Sequence, residues 1–298
     1  MADLTLLPGT AVAEEIRGRS LWVDAWRRLL RNHAAVVSGI ILVIISLSAI
    51  FAPYLSPHAY DEVFWDAIAA PPDFANAHYF GTDQNGRDQF VRTLYGGRVS
   101  LMVGLAATVV SLIIGVAWGA TAGFIGGRID AVMMRIVDIL YSIPFIFFVI
   151  ILLVVFGRDI LLIFIAIGAI SWLDMARIVR GQTLSLKRKE FVEAAHAAGV
   201  STFNIIRRHI IPNTLGPVVV YVTLTVPQVI LYESFLSFLG LGVQEPATSW
   251  GVLIAEGADV METAWWSLIF PAIFLAVTLF SFNFIGDGLR DALDPKDR

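Results

Sequence analysis

The sequence contains no cysteine and little charge. Asp, Glu, Lys and Arg make up 15% of its 298 residues, whereas hydrophobic residues make up 57%. A typical soluble domain is about one quarter charged, so this chain has too little charge to cover two soluble domains. The apolar content also excludes a disordered chain. Without cysteine there is no disulfide, thiolate metal site or cysteine nucleophile. The composition predicts an integral membrane protein.

Motifs typical of enzymes and nucleic-acid-binding proteins are also lacking. There is no G-x-x-x-x-G-K-[ST] phosphate loop, no H-x-x-x-H spacing among the five histidines, and no evident Ser-His-Asp or paired-carboxylate arrangement. The segment 81–88 fails the EF-hand pattern, because its glycine follows Asp83 too closely. The net charge of −4 gives no reason to expect nucleic-acid binding. We therefore predict no catalytic residue, no metal site and no cofactor bound by this chain.

Uncharged apolar segments dominate the chain, and about 20 such residues suffice to cross a bilayer. Six candidate spans follow: 34–55, 99–127, 139–157, 160–173, 210–232 and 263–286. The fourth reaches spanning length only if it runs on past Asp174. The run 234–243 is too short to cross, which predicts a re-entrant or interfacial segment. The predicted fold class is an all-α membrane protein with six transmembrane helices.

Most of the 21 Lys and Arg residues lie on one side of these spans, which predicts cytoplasmic termini by the positive-inside rule. Apolar residues at helical spacing before the first span predict an interfacial helix, and an ordinary basic flank is the alternative. The predicted segments are a cytoplasmic N-terminal segment 1–33, a first transmembrane helix 34–55, a periplasmic loop 56–98, a transmembrane domain 99–286 with a cytoplasmic loop at about 181–213, and a cytoplasmic tail 287–298.

Two sets of residues inside the spans predict structural contacts. Three glycines recur every four residues in the second span and predict a close helix-packing face: Gly115, Gly119 and Gly123. Arg135 and Asp138 are three residues apart, as are Asp174 and Arg177. This spacing predicts an ion pair within each helix, although intramembrane charges are also functional candidates.

The loop 181–213 predicts two helices joined by a turn. The first ends at Gly199, the second starts at Ser201 or Thr202, and Pro212 marks entry to the fifth span. We expect four residues of the first helix to share one face: Phe191, Ala194, Ala195 and Ala198. A basic loop of this length between two spans favours a docking element over a simple connector.

The motif E-A-A-x-x-x-G at Glu193–Gly199, followed by Pro212, resembles the coupling loop of ATP-binding-cassette importer permeases; the isoleucine that is common three residues before the proline is His209 here. Four further segments resemble the peptide/nickel branch of that family: 78–88, 171–187, 236–251 and 286–295. The segment 171–187 is similar to the C-type permease subunits of bacterial oligopeptide importers.

The resemblance implies a type I importer permease fold and an oligopeptide importer in the bacterial inner membrane. It implies a homologous second permease subunit, two cytoplasmic ATPase subunits that use ATP and Mg, and a periplasmic peptide-binding protein. The ATPase-coupling residues it implies are Glu190, Phe191, Glu193, Ala194, Ala195, Ala198, Gly199, Arg207 and Arg208. External acidic residues, among them Asp83, Asp88 and Glu256, either dock the binding protein or form a solvated face.

The substrate-binding residues stay unknown at this stage. A dipeptide, glutathione or nickel permease of the same branch is the alternative function. A membrane-embedded enzyme that uses Asp138 and Arg135 belongs to a different class and is disfavoured by the missing metal and nucleophile motifs. A channel is a third option, but a channel would need no E-A-A loop.

Overall fold

The computed structural model describes residues 21–157 and 160–293, and these residues are mainly helical. The elements are α1 (Leu21–Arg31), α2 (His33–Ile50), α3 (Ala52–Leu55), α4 (Gln89–Ile125), α5 (Gly127–Ser142), α6 (Phe145–Phe156), α7 (Ile160–Leu186), α8 (Glu190–Ala197), α9 (Thr202–Ile205), a π-helical turn (Ile206–Ile210), α10 (Ile211–Phe238), α11 (Trp250–Asp259) and α12 (Trp266–Leu293). Between α3 and α4 the chain forms turns, with three isolated β-bridges. The predicted segments before Leu21 and after Leu293 lie outside the described residues.

Four described segments are long and apolar enough to cross a membrane: α2, α4, the continuous stretch from α9 to α10, and α12. The pair α5 and α6 makes a fifth candidate, which is bent by 84° at the break that contains Pro144. The helix α7 has 27 residues and runs on past Asp174, as predicted. Its length is about 40 Å at the usual helical rise. An all-α membrane architecture is thus confirmed, with four or five apolar spans among the described residues.

The helices α4 and α7 approach each other closely along the glycine face of α4. A Cβ atom added to Gly115 would lie 2.5 Å from the Cβ of Met175, so only glycine fits there without a shift. One turn earlier, the Ser111 hydroxyl donates a hydrogen bond of 2.7 Å to the carbonyl oxygen of Ser171. Lipid gives helices no hydrophobic reason to associate, so backbone approach and interhelical hydrogen bonds hold such a pair together.

The helix α4 begins at Gln89, ahead of the predicted first residue of the span at position 99. The Asp88 side chain caps it by accepting a hydrogen bond of 2.9 Å from the amide of Val91. Arg92 is then fully buried and donates to Glu256 at 3.2 Å. The loop assigned to 56–98 therefore ends at residue 88, because a paired and buried arginine can lie within a helix where an unpaired one would not.

The helix α10 continues to Phe238, so the segment 234–238 is not re-entrant. The sequence-based boundary rested on the charge of Glu233, which is fully buried in the structure. Its carboxylate accepts hydrogen bonds from the hydroxyls of Ser237, at 2.6 Å, and Ser100, at 3.1 Å. Hydrogen-bonded in this way, a carboxylate can remain inside the bundle.

The predicted ion pairs within single helices are wrong. Arg177 on α7 donates a hydrogen bond of 2.9 Å to Asp138 on α5, and its guanidinium lies 4.3 Å from the ring centre of Tyr141. Among the described residues, neither the Arg135–Asp138 pair nor the Asp174–Arg177 pair forms. The neighbouring helix offers Arg177 a carboxylate and an aromatic face together, which its own helix does not.

The ends of the bundle agree in part with the predicted segments. The predicted helix before the first span is present as α1, which exposes Trp22 and Trp26 and buries Ala25. Its position at the membrane surface stays a prediction. The helix α12 extends to Leu293, so the segment assigned to the tail begins as helix.

Candidate coupling site

The site begins with a short helix and a tight turn, α8 and the residues after it. The amide of Val200 donates to the carbonyl of Ala195 at 3.1 Å, and the amide of Gly199 donates to that of His196 at 3.0 Å. This pair of hydrogen bonds is the Schellman motif, which needs a left-handed residue just after the helix. Gly199 has φ +74° and satisfies it. The predicted helix end is confirmed. Ser201 occupies the predicted N-cap position of α9, although its side chain makes no capping hydrogen bond.

The inner face of α8 and α9 attaches this hairpin to the membrane helices. Val192 and Ala195 are buried on the first helix, and Ile205 is buried on the second. They join a cluster with Val179 on α7 and Val218 on α10. The expectation that Ala195 shares a face with Phe191, Ala194 and Ala198 is wrong for Ala195, which packs inward while the other three are exposed. The missed anchor is Val192, whose spacing of three residues from Ala195 was a visible signal.

The outer face of the hairpin is exposed and carries both charge and aromatic surface. Phe191 is 40% exposed and Phe203 is 69% exposed. The remaining coupling candidates are exposed as well: Glu190, Glu193, Ala194, Ala198, Gly199, Arg207 and Arg208. The exposed side chains include two aromatic rings and two arginines, residue types that are enriched where proteins dock on one another.

A continuous helical path links this hairpin to the interior of the bundle. From Thr202 to Phe238 the backbone passes through α9, the π-helical turn and α10 without a break. Pro212 has no amide hydrogen, and its ring clashes with the carbonyl of the preceding turn in a regular α-helix. The backbone hydrogen bonding changes to the wider π-helical pattern just before Pro212, where the amide of Ile211 donates to the carbonyl of Ile206, five residues earlier. The second helix of the hairpin and α10 therefore belong to one uninterrupted helical segment.

The end of α7 next to the hairpin is held by polar contacts that the sequence did not reveal. Arg180 donates two hydrogen bonds to the carboxylate of Asp130 on α5, at 2.6 and 2.7 Å. Lys187 donates from Nζ to the carbonyl oxygen of Gly123 at 2.9 Å. A bidentate arginine–carboxylate pair fixes orientation as well as distance, so α7 enters the hairpin from a defined position.

At the opposite end of the bundle, a buried network joins the loop 56–88 to α11. Arg87 donates to Asp83 and to Glu245, both at 2.7 Å. Its hydrogen bond holds the pKa of Glu245 below the ordinary value. Burial raises the pKa of Glu256, against the opposing charges of Arg92 and Arg87. Asp83 and Asp88 are buried and Glu256 is largely so, and these three carboxylates are therefore unavailable as an exposed docking surface.

The same end brings His58, His78 and Asp88 together, with their possible ligand atoms within 4.8 Å of one another. Sequence spacing did not reveal this group. His78 Nδ1 lies 2.8 Å from the Asp88 carboxylate, and His58 Nε2 lies 3.0 Å from the carbonyl oxygen of Asn76. The second oxygen of Asp88 accepts the Val91 amide. Contacts within the chain thus occupy a ligand atom of each residue, as in a structural hydrogen-bond network.

Comparison with family models gives two matches along the chain. Residues 111–298 match the family described as "Binding-protein-dependent transport system inner membrane component". Residues 20–72 match the family described as "N-terminal TM domain of oligopeptide transport permease C". The first match includes α7 to α12 and therefore the whole hairpin.

Relatives and one solved structure agree with this assignment. The chain is 62% identical over 284 residues to the oligopeptide transport system permease protein OppC of Escherichia coli (strain K12), covering 95% of this chain and 94% of the relative. It is 48% identical over 276 residues to the dipeptide transport system permease protein DppC of Bacillus subtilis (strain 168), covering 92% and 86%. A chain from inward-facing conformations of the MetNI methionine ABC transporter has a TM-score of 0.56 at 19% identity, covering 67% of this chain and 94% of that chain, and so shares the fold. The chain therefore belongs to the family of inner membrane components of binding-protein-dependent transport systems, as a multi-pass permease subunit of an ABC transporter.

Proposed function

We propose that the chain is one permease subunit of an ATP-driven importer that moves oligopeptides across the bacterial inner membrane. The observation that carries the proposal is the exposed outer face of α8, presented on a hairpin whose second helix continues without a break into α10. The 62% identity with an oligopeptide permease supports the substrate class.

In this proposal six helical segments cross the membrane, namely the five candidates above and α7, and both termini face the cytoplasm. The hairpin α8–α9 docks on one of two ATPase subunits, which bind ATP and Mg. A homologous permease subunit completes the pathway, and a periplasmic binding protein delivers the peptide at the end that carries the loop 56–88. Closure of the ATPase pair moves the hairpin, and the helical path to α10 transmits the movement to the pathway.

Reconstitution tests the proposal. The chain, its partner permease, the two ATPases and the binding protein are placed in proteoliposomes, and uptake of a labelled tripeptide is measured with ATP and with a non-hydrolysable analogue. Uptake that requires hydrolysis is expected. A complex that hydrolyses ATP and moves no peptide would contradict the proposed substrate class.

The related dipeptide permease at 48% identity makes dipeptide uptake the second candidate function. Competition of the labelled tripeptide with unlabelled dipeptide, glutathione and nickel separates these cases. We expect longer peptides to compete best.

Coupling is tested with Glu193→Lys, which reverses a charge on the outer face of α8. Because Glu193 is exposed and makes no contact that the fold needs, this variant should assemble while transport per ATP hydrolysed falls. Normal uptake by Glu193→Lys would exclude Glu193 from the docking face.

A further inference from the structure

A groove with polar residues runs between α7 and α10. It consists of a cavity of about 540 Å³ toward the hairpin and a cavity of about 200 Å³ deeper in the bundle. Tyr221 lines both cavities, which therefore lie next to each other along α10. Thr225, Gln228 and Tyr232 continue the lining along α10 at helical spacing. Hydroxyl and amide groups therefore follow one another from the hairpin toward the middle of the bundle.

Asp174 lines the deeper cavity from the α7 side. Its depth is fixed by the contacts between α7 and α4. Ser111 hydrogen-bonds to the carbonyl of Ser171, and a Cβ on Gly115 would lie 2.9 Å from the carbonyl of Trp172. Ser111 and Gly115 flank the middle of the uncharged segment 99–127. The carboxylate of Asp174 thus lies at the level of the apolar centre of α4.

No described residue gives this carboxylate a hydrogen bond or an ion pair. Arg177, one turn away, is already paired with Asp138 at 2.9 Å. Among the described residues that line the two cavities, the only other charged one is Arg290, which lines the cavity nearer the hairpin. A carboxylate at membrane depth is costly unless it faces water or pairs with a cation, and residues of this kind mark substrate pathways.

We propose that the Asp174 carboxylate binds the α-ammonium group of a peptide that passes through this groove. The inference rests on the proposed function and adds to it a contact for the substrate. The charges are complementary, since an ammonium group supplies the cation that Asp174 lacks. Tyr221 and Tyr232 offer hydroxyl groups to the peptide backbone, and the tyrosine rings suit a nearby cation. A second permease helix laid over the groove would supply the cation only if it carried one at this depth.

Because the chain has no cysteine, a single introduced thiol can report peptide binding. Gln228→Cys places the thiol at an exposed position in the deeper cavity. The assembled, nucleotide-free complex in lipid nanodiscs is labelled with N-ethylmaleimide, with trialanine or N-acetyl-trialanine present, and labelling of this chain is read after electrophoresis. Ser185→Cys, exposed on α7 outside the groove, is the matched control.

Trialanine is expected to slow labelling of the Gln228→Cys variant, and N-acetyl-trialanine at the same concentration is not. Adding Asp174→Asn should raise the half-protecting concentration of trialanine about 10-fold, as expected for loss of a charge-assisted hydrogen bond. Asp174→Glu should retain protection. Labelling of the Ser185→Cys variant should not respond to either peptide.

Three results would overturn the proposal: equal protection by the two peptides, unchanged protection in Asp174→Asn, or a Gln228→Cys thiol that peptide never protects. If Asp174→Asn prevents assembly, the comparison of free and acetylated trialanine in the parent complex still decides. Tripeptide uptake by the parent complex is measured separately, so failure of the ammonium site is distinguishable from failure of the transport function.

Discussion

Arg177 pairs with Asp138 on the neighbouring helix, at 2.9 Å, although Asp174 lies one turn away on its own helix. The Tyr141 ring, 4.3 Å from the guanidinium, holds the arginine on that side. The consequence is that one carboxylate is neutralised and the other is left facing the groove. Whether Arg177 pairs with Asp138 or with Asp174 therefore determines whether Asp174 is available to a ligand.

This relationship predicts that Asp138→Asn weakens peptide binding, although Asp138 does not line the groove. Once Arg177 loses its partner, Asp174 is the nearest carboxylate on its own helix, at a spacing that allows pairing. Trialanine protection of the Gln228→Cys thiol should then require about 3- to 10-fold more peptide. The double variant Asp138→Asn/Arg177→Gln should recover the parent value, because no cation remains to occupy Asp174. Asp287→Asn, at an exposed position outside the groove, is the control. An effect of Asp138→Asn that persists in the double variant would refute the competition.

The glycine face of α4 predicts a large difference between two chemically identical substitutions. A Cβ on Gly119 would overlap the carbonyl oxygen of Ala176 and lie 2.9 Å from the amide nitrogen of Arg180. Both atoms belong to the backbone of α7, so the helices must separate. Gly119→Ala should cost about 1–3 kcal/mol in the free energy of unfolding.

Gly181→Ala provides the matched control for that measurement. Gly181 lies on α7, and a Cβ there meets nothing within 4 Å. Its replacement should be neutral or stabilising by about 0.5–1 kcal/mol, since alanine restricts the unfolded chain. The temperature at which half of the protein stays monodisperse in detergent ranks the two variants against the parent. Equal stability of the two variants would rule out the close approach of α4 and α7.

Gly199 predicts a cost that comes from the backbone and not from crowding. Its φ is +74°, and a Cβ there meets nothing within 4 Å. Gly199→Ala should therefore destabilise the end of α8 by about 1–2 kcal/mol, the usual strain of a left-handed L-residue, and Gly199→Asn by less. Hydrogen exchange at the amides of Gly199 and Val200 measures the change. In the assembled complex, Gly199→Ala should also lower transport per ATP hydrolysed, and coupling equal to that of the parent would separate the turn from the coupling step.

Local rules were sufficient for some of this structure. The spacing of Gly115, Gly119 and Gly123 indicated a packing face, and the structure places all three against α7. Gly199 and Ser201 marked the boundaries of α8 and α9 because turn geometry depends on a few neighbouring residues. These features were visible without knowledge of which helices meet.

Charged residues inside the bundle were the main source of error. Each was taken as the end of a span, as part of a loop or as a local partner, but Arg92 and Glu233 are fully buried. Their partners, Glu256 and Ser100, are far away in the sequence. The orientation of Ala195 and the partner of Arg177 likewise depend on a neighbouring helix. Periodicity gives the face of a helix, whereas only tertiary packing determines what that face meets.

The ion pair between Arg87 and Glu245 predicts a pH-dependent contribution to stability. The hydrogen bond from Arg87 lowers the pKa of Glu245 in the folded protein. Glu245 therefore binds its proton more tightly in the unfolded chain than in the folded protein. The stabilisation is therefore complete above the ordinary glutamate pKa and is lost as the pH falls through the folded value.

Glu245→Gln removes the carboxylate that pairs with Arg87 and keeps Glu256 and Asp83 in both proteins. The Glu245 side chain is 61% exposed, so at neutral pH the variant should melt at most about 3 °C lower. This gap should close as the pH is lowered to about 4 and below. Glu262→Gln, at an exposed position in the segment after α11, should show no gap at any pH. A gap for Glu245→Gln that stays constant down to acidic pH would mean that Glu245 acts through its shape and not through its charge.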